Sequence, residues 1–346
     1  MRILPDSARV RVFEPDPAAP SGALPIFGES LDKLGKRITR GITTSVVMIL
    51  LGAMVFFTSA GPALPVTTTG LFVCLLVFWI YCWVTGVPPA RLKRTPFRLL
   101  DLGEGDLVIA GKTVGIRLPD DRWLHIWLPR AWRLQLAGQR RIWLLGDGDR
   151  VFTVLPGSLS VQRGRVLDAP PRGAVPLPPV SREPTSPRDD VVLGAHRRFL
   201  SRTQLVVSAV FEFFGVLMLA LQLAFPDSDT VIILALVVML ILGGLVVAKF
   251  GVDFGKPLAA DNWTELRLVP DGPMRINAQG LARLSGWTML ADGREIGVRI
   301  VKVDPSMAAN IAVTGQLWVA GMPQPGRTAV IGVPGYPVTG KARLAQ

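Results

Sequence analysis

Few residues in this chain have the type and spacing that chemistry demands, and the one that stands out lies in apolar surroundings. Glu212 sits inside LVVSAVFEFFGVLMLALQLAF, residues 205–225, about seven residues into an uninterrupted hydrophobic run. An ionisable group at such a depth in a membrane helix is costly, so it calls for a partner, a water-filled cavity or a proton. Ser208 and Gly215 lie about one helical turn to either side, on nearly the same face, so the three form a candidate intramembrane contact that faces protein and not lipid. Gly52/Ala53 and Gly243/Gly244 offer further points of close helix approach.

Other reactive groups point away from catalysis. The paired acids Glu104/Asp106, Asp120/Asp121 and Asp147/Asp149 each stand in a Gly- or Pro-bearing turn, where Asp serves local backbone hydrogen bonding. His125 alternates with large apolar residues in RWLHIWLP, as the polar side of a strand does, and His196 belongs to the basic stretch AHRRF. Two histidines, with Cys74 and Cys82 both inside one apolar run, make neither a clustered metal centre nor a disulfide framework. No P-loop, strand-linked GxGxxG, HExxH or GxSxG motif occurs. Neither a catalytic residue nor a cofactor or metal site is assigned, and an enzyme is the weaker expectation.

The elements that must position Glu212 are two apolar hairpins. Their arms, about 42–59 with 66–86 and about 205–225 with 230–248, are each near the roughly 20 residues a helix needs to cross about 30 Å of hydrocarbon. Composition agrees: 49% of residues are hydrophobic and only 18% charged, against about 25% in a typical soluble domain, and mean hydropathy is +0.40. The expectation is a multi-pass membrane protein with four spans. Of 38 basic residues, arginine exceeds lysine 30 to 8, which suggests a GC-rich bacterial source.

Orientation follows from the flanks. Lys33, Lys36, Arg37 and Arg40 precede the first span; Arg91, Lys93, Arg94 and Arg98 follow the second. Arg197, Arg198 and Arg202 precede the third, and Lys249 and Lys256 follow the fourth, while the turns GPALP and Pro226–Asp229 carry no Lys or Arg. By the positive-inside rule both termini and both loop-rich segments face the cytoplasm, at the inner (plasma) membrane. No secretory signal opens the chain, and ESLDKLGKRITR is expected as a short basic amphipathic helix lying at the headgroups.

The expected division is a 1–28 extension carrying a β-like stretch at 9–13; basic helix and hairpin, 29–90; β-domain, 91–168; proline-rich linker, 169–190; basic helix and hairpin, 191–250; and β-domain, 251–346. Strands of the first β-domain are expected at 97–102, 106–109, 113–118, 123–128, 132–136, 141–145, 151–155 and 159–161. In the second they fall at 265–269, 281–284, 287–290, 295–303, 310–313, 316–320 and 327–333, with ADGRE as a hairpin turn. Both suit a small antiparallel barrel or sandwich. Trp123, Trp127, Trp132 and Trp143 serve as core or interfacial belt in preference to a ligand surface. Proline disfavours helix and interior strand in the linker, leaving an extended spacer.

The second half repeats the first in order: basic helix, hairpin, β-domain. VVLGAHRRFLSR echoes LDKLGKRITR; Val114-Gly115-Ile116-Arg117 resembles Ile296-Gly297-Val298-Arg299; and IWLLGDGDRVFTVLPG lines up with LWVAGMPQPGRTAVIGVPG. This tandem duplication places Trp143 and Trp318 at equivalent buried core positions, with the halves related by an axis near the membrane normal. A hairpin followed by a small β-domain is reminiscent of bacterial membrane proteins carrying pleckstrin-homology-like or small-barrel domains, with no residue motif that assigns a family. The expected function is a non-enzymatic membrane scaffold or accessory subunit that recruits partners to the cytoplasmic face, in an envelope-biogenesis or transport assembly. The alternative is a small transporter or channel component with Glu212 in its pathway. Expected partners are anionic lipid headgroups at the basic flanks and other membrane proteins or further copies of the chain; nucleic acid is disfavoured.

Overall fold

The computed structural model describes residues 10–17, 25–58, 63–86, 94–146, 148–180, 186–224, 230–255 and 258–345. Asp147, Arg91, Lys93, Lys256, Gly61, Pro62 and Pro226–Asp229 of the sequence expectations lie outside them. The chain opens with α1 (Pro25–Thr58) and α2 (Ala63–Gly86), followed by β1 (Arg98–Asp101), β2 (Leu107–Ala110), β3 (Thr113–Arg117), β4 (Trp123–Trp127), α3 (Arg130–Gln139), β5 (Arg141–Leu145), β6 (Arg150–Val154), β7 (Val161–Leu167) and β8 (Val175–Pro176). Then come α4 (Val191–Ala224), α5 (Thr230–Gly255), β9 (Trp263–Pro270), β10 (Arg275–Ile276), β11 (Ala282–Met289), β12 (Glu295–Val303), α6 (Pro305–Thr314), β13 (Gln316–Ala320), β14 (Thr328–Gly332) and β15 (Thr339–Leu344). Two compact units result. One comprises Met1–Leu34, Thr85–His196 and Pro257–Gln346 and holds every strand; the other comprises Gly35–Val84 and Arg197–Lys256 and is helical.

Among the described residues, three helical stretches are long and apolar enough to cross a membrane, Phe27–Met54, Val191–Ala224 and Ile233–Asp253, and α2 contributes the shorter apolar stretch Thr69–Ile80. The basic segments expected as separate surface helices are instead the first turns of α1 and α4, each 34 residues without a break. Neither segment contains a proline or glycine pair that would force a kink, so the helical backbone runs on. Small residues let these helices approach. A Cβ added at Gly41 would collide with the Trp79 indole, and one at Gly52 with the Thr69 hydroxyl. At Gly215 it would press on Ile241 at 3.1 Å. Gly243 has open space and plays no such part.

Both sheets are antiparallel throughout. The first has the order β1-β5-β6-β7-β4-β3-β2-β8, the second β10-β11-β12-β15-β14-β13-β9 with an extra β11–β9 pairing that closes six strands into a barrel. Numbered within its own segment, each sheet joins its first seven strands in the same sequence, and each inserts one ten-residue helix between its fourth and fifth strands. The turns joining the third and fourth strands also agree. Leu118 N–H donates to Arg122 O and Leu290 N–H to Arg294 O, at 2.8 and 2.9 Å. The Arg122 Nε–H donates to Asp120 Oδ2, and the Arg294 Nε–H to Asp292 Oδ2, both at 2.8 Å. Each turn turns back through a left-handed residue, Asp121 at φ 62° and Gly293 at φ 83°. These guanidiniums hold both aspartates below the usual carboxylate range.

Several sequence expectations are corrected. Residues 132–136 and 310–313 are helical, within α3 and α6, not strands. Trp-Arg-Leu-Gln-Leu alternates like a strand, but its flanks are good helix formers, and α6 is started by Asp304, whose side chain accepts from Ser306 N–H at 2.7 Å, with Pro305 next. The stretches 281–284 and 287–290 are one strand, β11, and the residues after 161 continue as β7. The pairing of Val114–Arg117 with Ile296–Arg299 aligns β3 with β12, which hold different places in the strand order. Residues 10–13 belong to no strand. The proline-rich segment is no plain spacer: Val175–Pro176 pairs with β2 as an edge strand, where a proline is tolerated, and Leu177 N–H donates to Leu107 O at 3.0 Å. Residues 181–185 lie outside the description.

Candidate functional site

Within the helical unit, Glu212 is half-buried and packs against α5. Ser208 Oγ donates to the Gly244 carbonyl at 2.8 Å and lies 3.3 Å from Glu212 Oε1, one turn on. A Cβ at Gly244 would come within 2.9 Å of the Glu212 Cγ, so only glycine admits the carboxyl side chain here. Ser208 is 4% exposed, while Gly215 supports the same α4–α5 interface one turn further on. The three residues expected to form one contact thus lie together on the face of α4 that meets α5. Phe214 adds a contact to α2 at Gly70, 3.2 Å from a Cβ built there. Two buried polar residues that the sequence reading passed over are Ser45 in α1 and Gln222 in α4.

In the strand-bearing unit, Trp143 and Trp318 are both buried, at 3% and 1% exposure, on β5 and β13. Each follows a helix that ends in a left-handed residue, Arg140 and Gly315. Trp143 packs with Phe27 and Leu31 of α1 and Phe97, whose ring stands edge-on to Phe27 with centroids 5.0 Å apart. Trp318 packs with Leu193 of α4 and with Trp263. The foot of one long helix therefore rests on each tryptophan. Trp127 is exposed, and Trp132 leans on the core of the first sheet, so the four tryptophans of that sheet form no common surface.

The two sheets meet through a closed ring of hydrogen bonds that sequence reasoning missed. Phe13 N–H donates to Asn310 Oδ1 at 2.7 Å, Asn310 Nδ2 donates to Gly157 O at 2.7 Å, and Gly157 N–H donates to Phe13 O at 2.9 Å. Ser306 Oγ accepts from Leu159 N–H at 3.1 Å beside it. Asn310 and Ser306 are 1% and 3% exposed. An asparagine inside the apolar helix MAANIAV was the available signal, since a buried amide must find partners. Gly335, in the matching Pro-Gly turn of the second sheet, donates to Asp190 Oδ2 at 2.7 Å, and the other oxygen of Asp190 caps α4 by accepting from Val192 and Leu193 N–H. Burial pushes the Asp190 carboxyl up, and these three N–H donors pull against that.

A groove of about 950 Å³ opens beside this junction, lined among others by Glu14, Gln139, Arg141, Asp190 and Tyr336. Arg141 is already committed there, to Asp101 at 2.9 Å and to Glu14 at 3.3 Å. Of the turn acids, Asp106 accepts from Gly103 N–H at 2.7 Å and Asp120 from Arg122 N–H at 3.4 Å, while Asp121 accepts from the Arg117 guanidinium at 2.7 Å. Among the described residues no group of three or more His, Cys, Asp or Glu side chains is placed to hold a metal ion. No protein-family model, curated protein or solved structure matches the chain.

Proposed function

We propose that the chain is an integral membrane scaffold: four helices anchor a duplicated pair of cytoplasmic β-domains that recruit other membrane proteins or further copies of the chain, with no reaction of its own, in an envelope-biogenesis or transport assembly. The observation that carries this reading is the seating of the helix feet. Phe27 and Leu31 on Trp143, and Leu193 on Trp318, tie each sheet to a helix that is long and apolar enough to cross a membrane. The ring through Phe13, Asn310 and Gly157 then makes one body of two sheets, which suits a platform that presents a fixed surface.

Duplication is supported by the common strand order, the common helix insertion and the two matching turns at Asp120–Arg122 and Asp292–Arg294. The fourth span is α2, whose 24 residues give about 36 Å at 1.5 Å per residue. The absence of Lys and Arg from both hairpin turns supports a cytoplasmic platform. Cysteines placed at Ala63, Ser228 and the exposed Ser285, in a chain with Cys74 and Cys82 replaced, test the topology with an impermeant maleimide on whole cells. Labelling at positions 63 and 228 but not 285 is expected, and the reverse pattern overturns the orientation. Detergent extraction followed by mass spectrometry tests recruitment, with stoichiometric companions expected.

A second reading, a transporter or channel component, is favoured only by Glu212. Its seat against Gly244 and Ser208 suits a structural contact. Glu212→Gln should keep the α4–α5 contact and function, because an amide still hydrogen-bonds, whereas Glu212→Leu should weaken both. Loss of function in Glu212→Gln with assembly intact would transfer the site to proton carriage.

A further inference from the structure

The barrel of the second β-domain carries a row of cations that outnumbers the one acid beside it, Asp271, whose N–H donates to Ser285 O at 3.0 Å. Arg275 on β10 stands directly across from Arg283 on β11, and Arg299 on β12 directly across from Arg343 on β15. Ser285 fills the place across from Arg299, which puts Arg283 on the diagonal, and Lys341 lies two residues along β15 from Arg343 on the same side. All five side chains are exposed, and among the described residues none has an ion pair or a side-chain hydrogen bond.

Like charges facing each other across a sheet destabilise it, and at the end of the same hairpin Arg294 has its aspartate at 2.6 Å. The barrel therefore tolerates repulsion along four adjacent strands, with Asp271 beside Ser285 but, among the described residues, in no ion pair with the five. The apolar neighbours match. Trp287 is 40% exposed and Met289 54%, both on the outer side of β11, with Gly297 across from Trp287 leaving the indole face open. Cations flanked by an open indole are what an interface between water and lipid favours, since the ring sits at headgroup depth while the guanidiniums meet phosphates.

We propose that this strip of the second barrel docks on the anionic headgroups of the membrane that holds the chain, the five cations meeting lipid phosphates and Trp287 entering the headgroup layer. The proposal rests on the membrane reading above and adds a second attachment to it. Each basic residue near an anionic surface contributes about a fivefold gain in docking, so a strip of this size is held by the bilayer and released by salt.

The test uses the full chain, with Cys74 and Cys82 replaced and a spin label on Ser285→Cys, in lipid nanodiscs of phosphatidylcholine alone or with about one-third phosphatidylglycerol, a fraction high enough to give the strongly negative surface of an anionic leaflet. Docking should appear only in the anionic discs, as an immobilised spectrum shielded from a water-soluble relaxation agent. Arg299→Glu with Arg343→Glu should reduce the docked-to-free ratio by about 25-fold or more, and 0.5 M salt should act in the same direction. Both positions are exposed and mutually repelling, so the charge reversal leaves the fold intact; the pair Arg299→Gln and Arg343→Gln, with a smaller loss of docking, checks this. Equal spectra in both discs, or indifference to the reversal, overturn the strip while the chain's integration into discs keeps the membrane reading. Failure to integrate overturns that reading and the strip with it. Immobilisation that appears only when RNA or an acidic peptide is added reassigns the strip to that partner and overturns the lipid proposal.

Discussion

The two sheets share a strand order and differ in closure, and strand length differs with it. β9 and β11 are eight residues each, long enough for Val269 to reach Trp287 and Pro270 to reach Gly286, so the second sheet meets itself. Their counterparts β1 and β3 have four and five residues, and the first sheet stays open. The proline-rich segment attends to the open one instead. Pro171 lies over Gly115 on β3, and Val175–Pro176 covers the outer edge of β2. An edge strand is a hazard that a fold must close, cover or charge; here the second sheet closes on itself at β9 and β11, while in the first sheet the outer edge of β2 is covered. A segment whose composition suggests only a spacer therefore has a structural task beside the first sheet.

The largest effect expected from this comparison is a shared one. Truncating Trp143 or Trp318 to Ala should destabilise the chain by about 3 to 5 kcal/mol, the range for large buried aromatics. Among the described residues neither indole N–H has a hydrogen-bond partner, so Trp→Phe at either position loses packing alone and should cost clearly less. Thermal unfolding in detergent measures both. A silent Trp143→Ala beside a damaging Trp318→Ala would show that the open sheet does not depend on the helix foot seated on it.

A smaller effect should separate the two seams. A methyl group at Gly286 would run into the Val269 carbonyl and meet Pro270 Cα at 3.0 Å, both backbone atoms of the paired strand. At Gly115, buried on the interior strand β3, the same methyl meets the Pro171 ring at 2.6 Å and Val108 Cγ2 at 2.8 Å, which are side-chain atoms and can shift more readily than backbone. Gly286→Ala should therefore cost about 1 to 3 kcal/mol, as overpacking does, and raise amide exchange at β9 and β11. Gly115→Ala should cost less and leave the second sheet untouched. Gly272→Ala, in open space, is the control. Equal costs at 115 and 286 would mean that closure adds no rigidity.

How much of this was legible beforehand differs by level. Helix existence was legible because apolar runs near 20 residues have few other uses, and most strands because turn residues such as Leu-Pro-Asp-Asp-Arg and Leu-Ala-Asp-Gly-Arg punctuate them. The short helices α3 and α6 were not, since five residues of alternating polarity fit either period. The continuity of α1 and α4 was hidden by a change in polarity that the backbone does not feel. Of the candidate contact, Glu212, Ser208 and Gly215 could be placed on one face from spacing alone, but Gly244 as their seat depends on α5, some 30 residues further on, and no local pattern encodes that pairing. The ring through Phe13, Asn310 and Gly157 joins residues 297 and 153 positions apart, and only the fold brings them together.

The least expected effect, and the most specific to the comparison, concerns the two Pro-Gly turns. Gly157 N–H is satisfied by a backbone carbonyl, that of Phe13, which no pH change alters. Gly335 N–H is satisfied by the Asp190 carboxylate, whose affinity for a proton is raised by burial. A native carboxyl that holds its proton more tightly than the unfolded one, which ionises near 4, stabilises the protonated fold. Its contribution is full below the unfolded value, declines as pH rises through the raised native value, and is level above it. Asp190→Asn keeps a cap for α4 through its amide oxygen, yet turns an N–H toward Gly335 and does not titrate. The wild-type chain should accordingly gain stability over Asp190→Asn as pH is lowered from 7 toward 4, and amide exchange at Gly335 should depend on pH beyond the intrinsic rate while that at Gly157 does not. A pH-independent difference between the two proteins would show that Asp190 is ionised at its ordinary value and that the two turns, despite their different partners, respond alike.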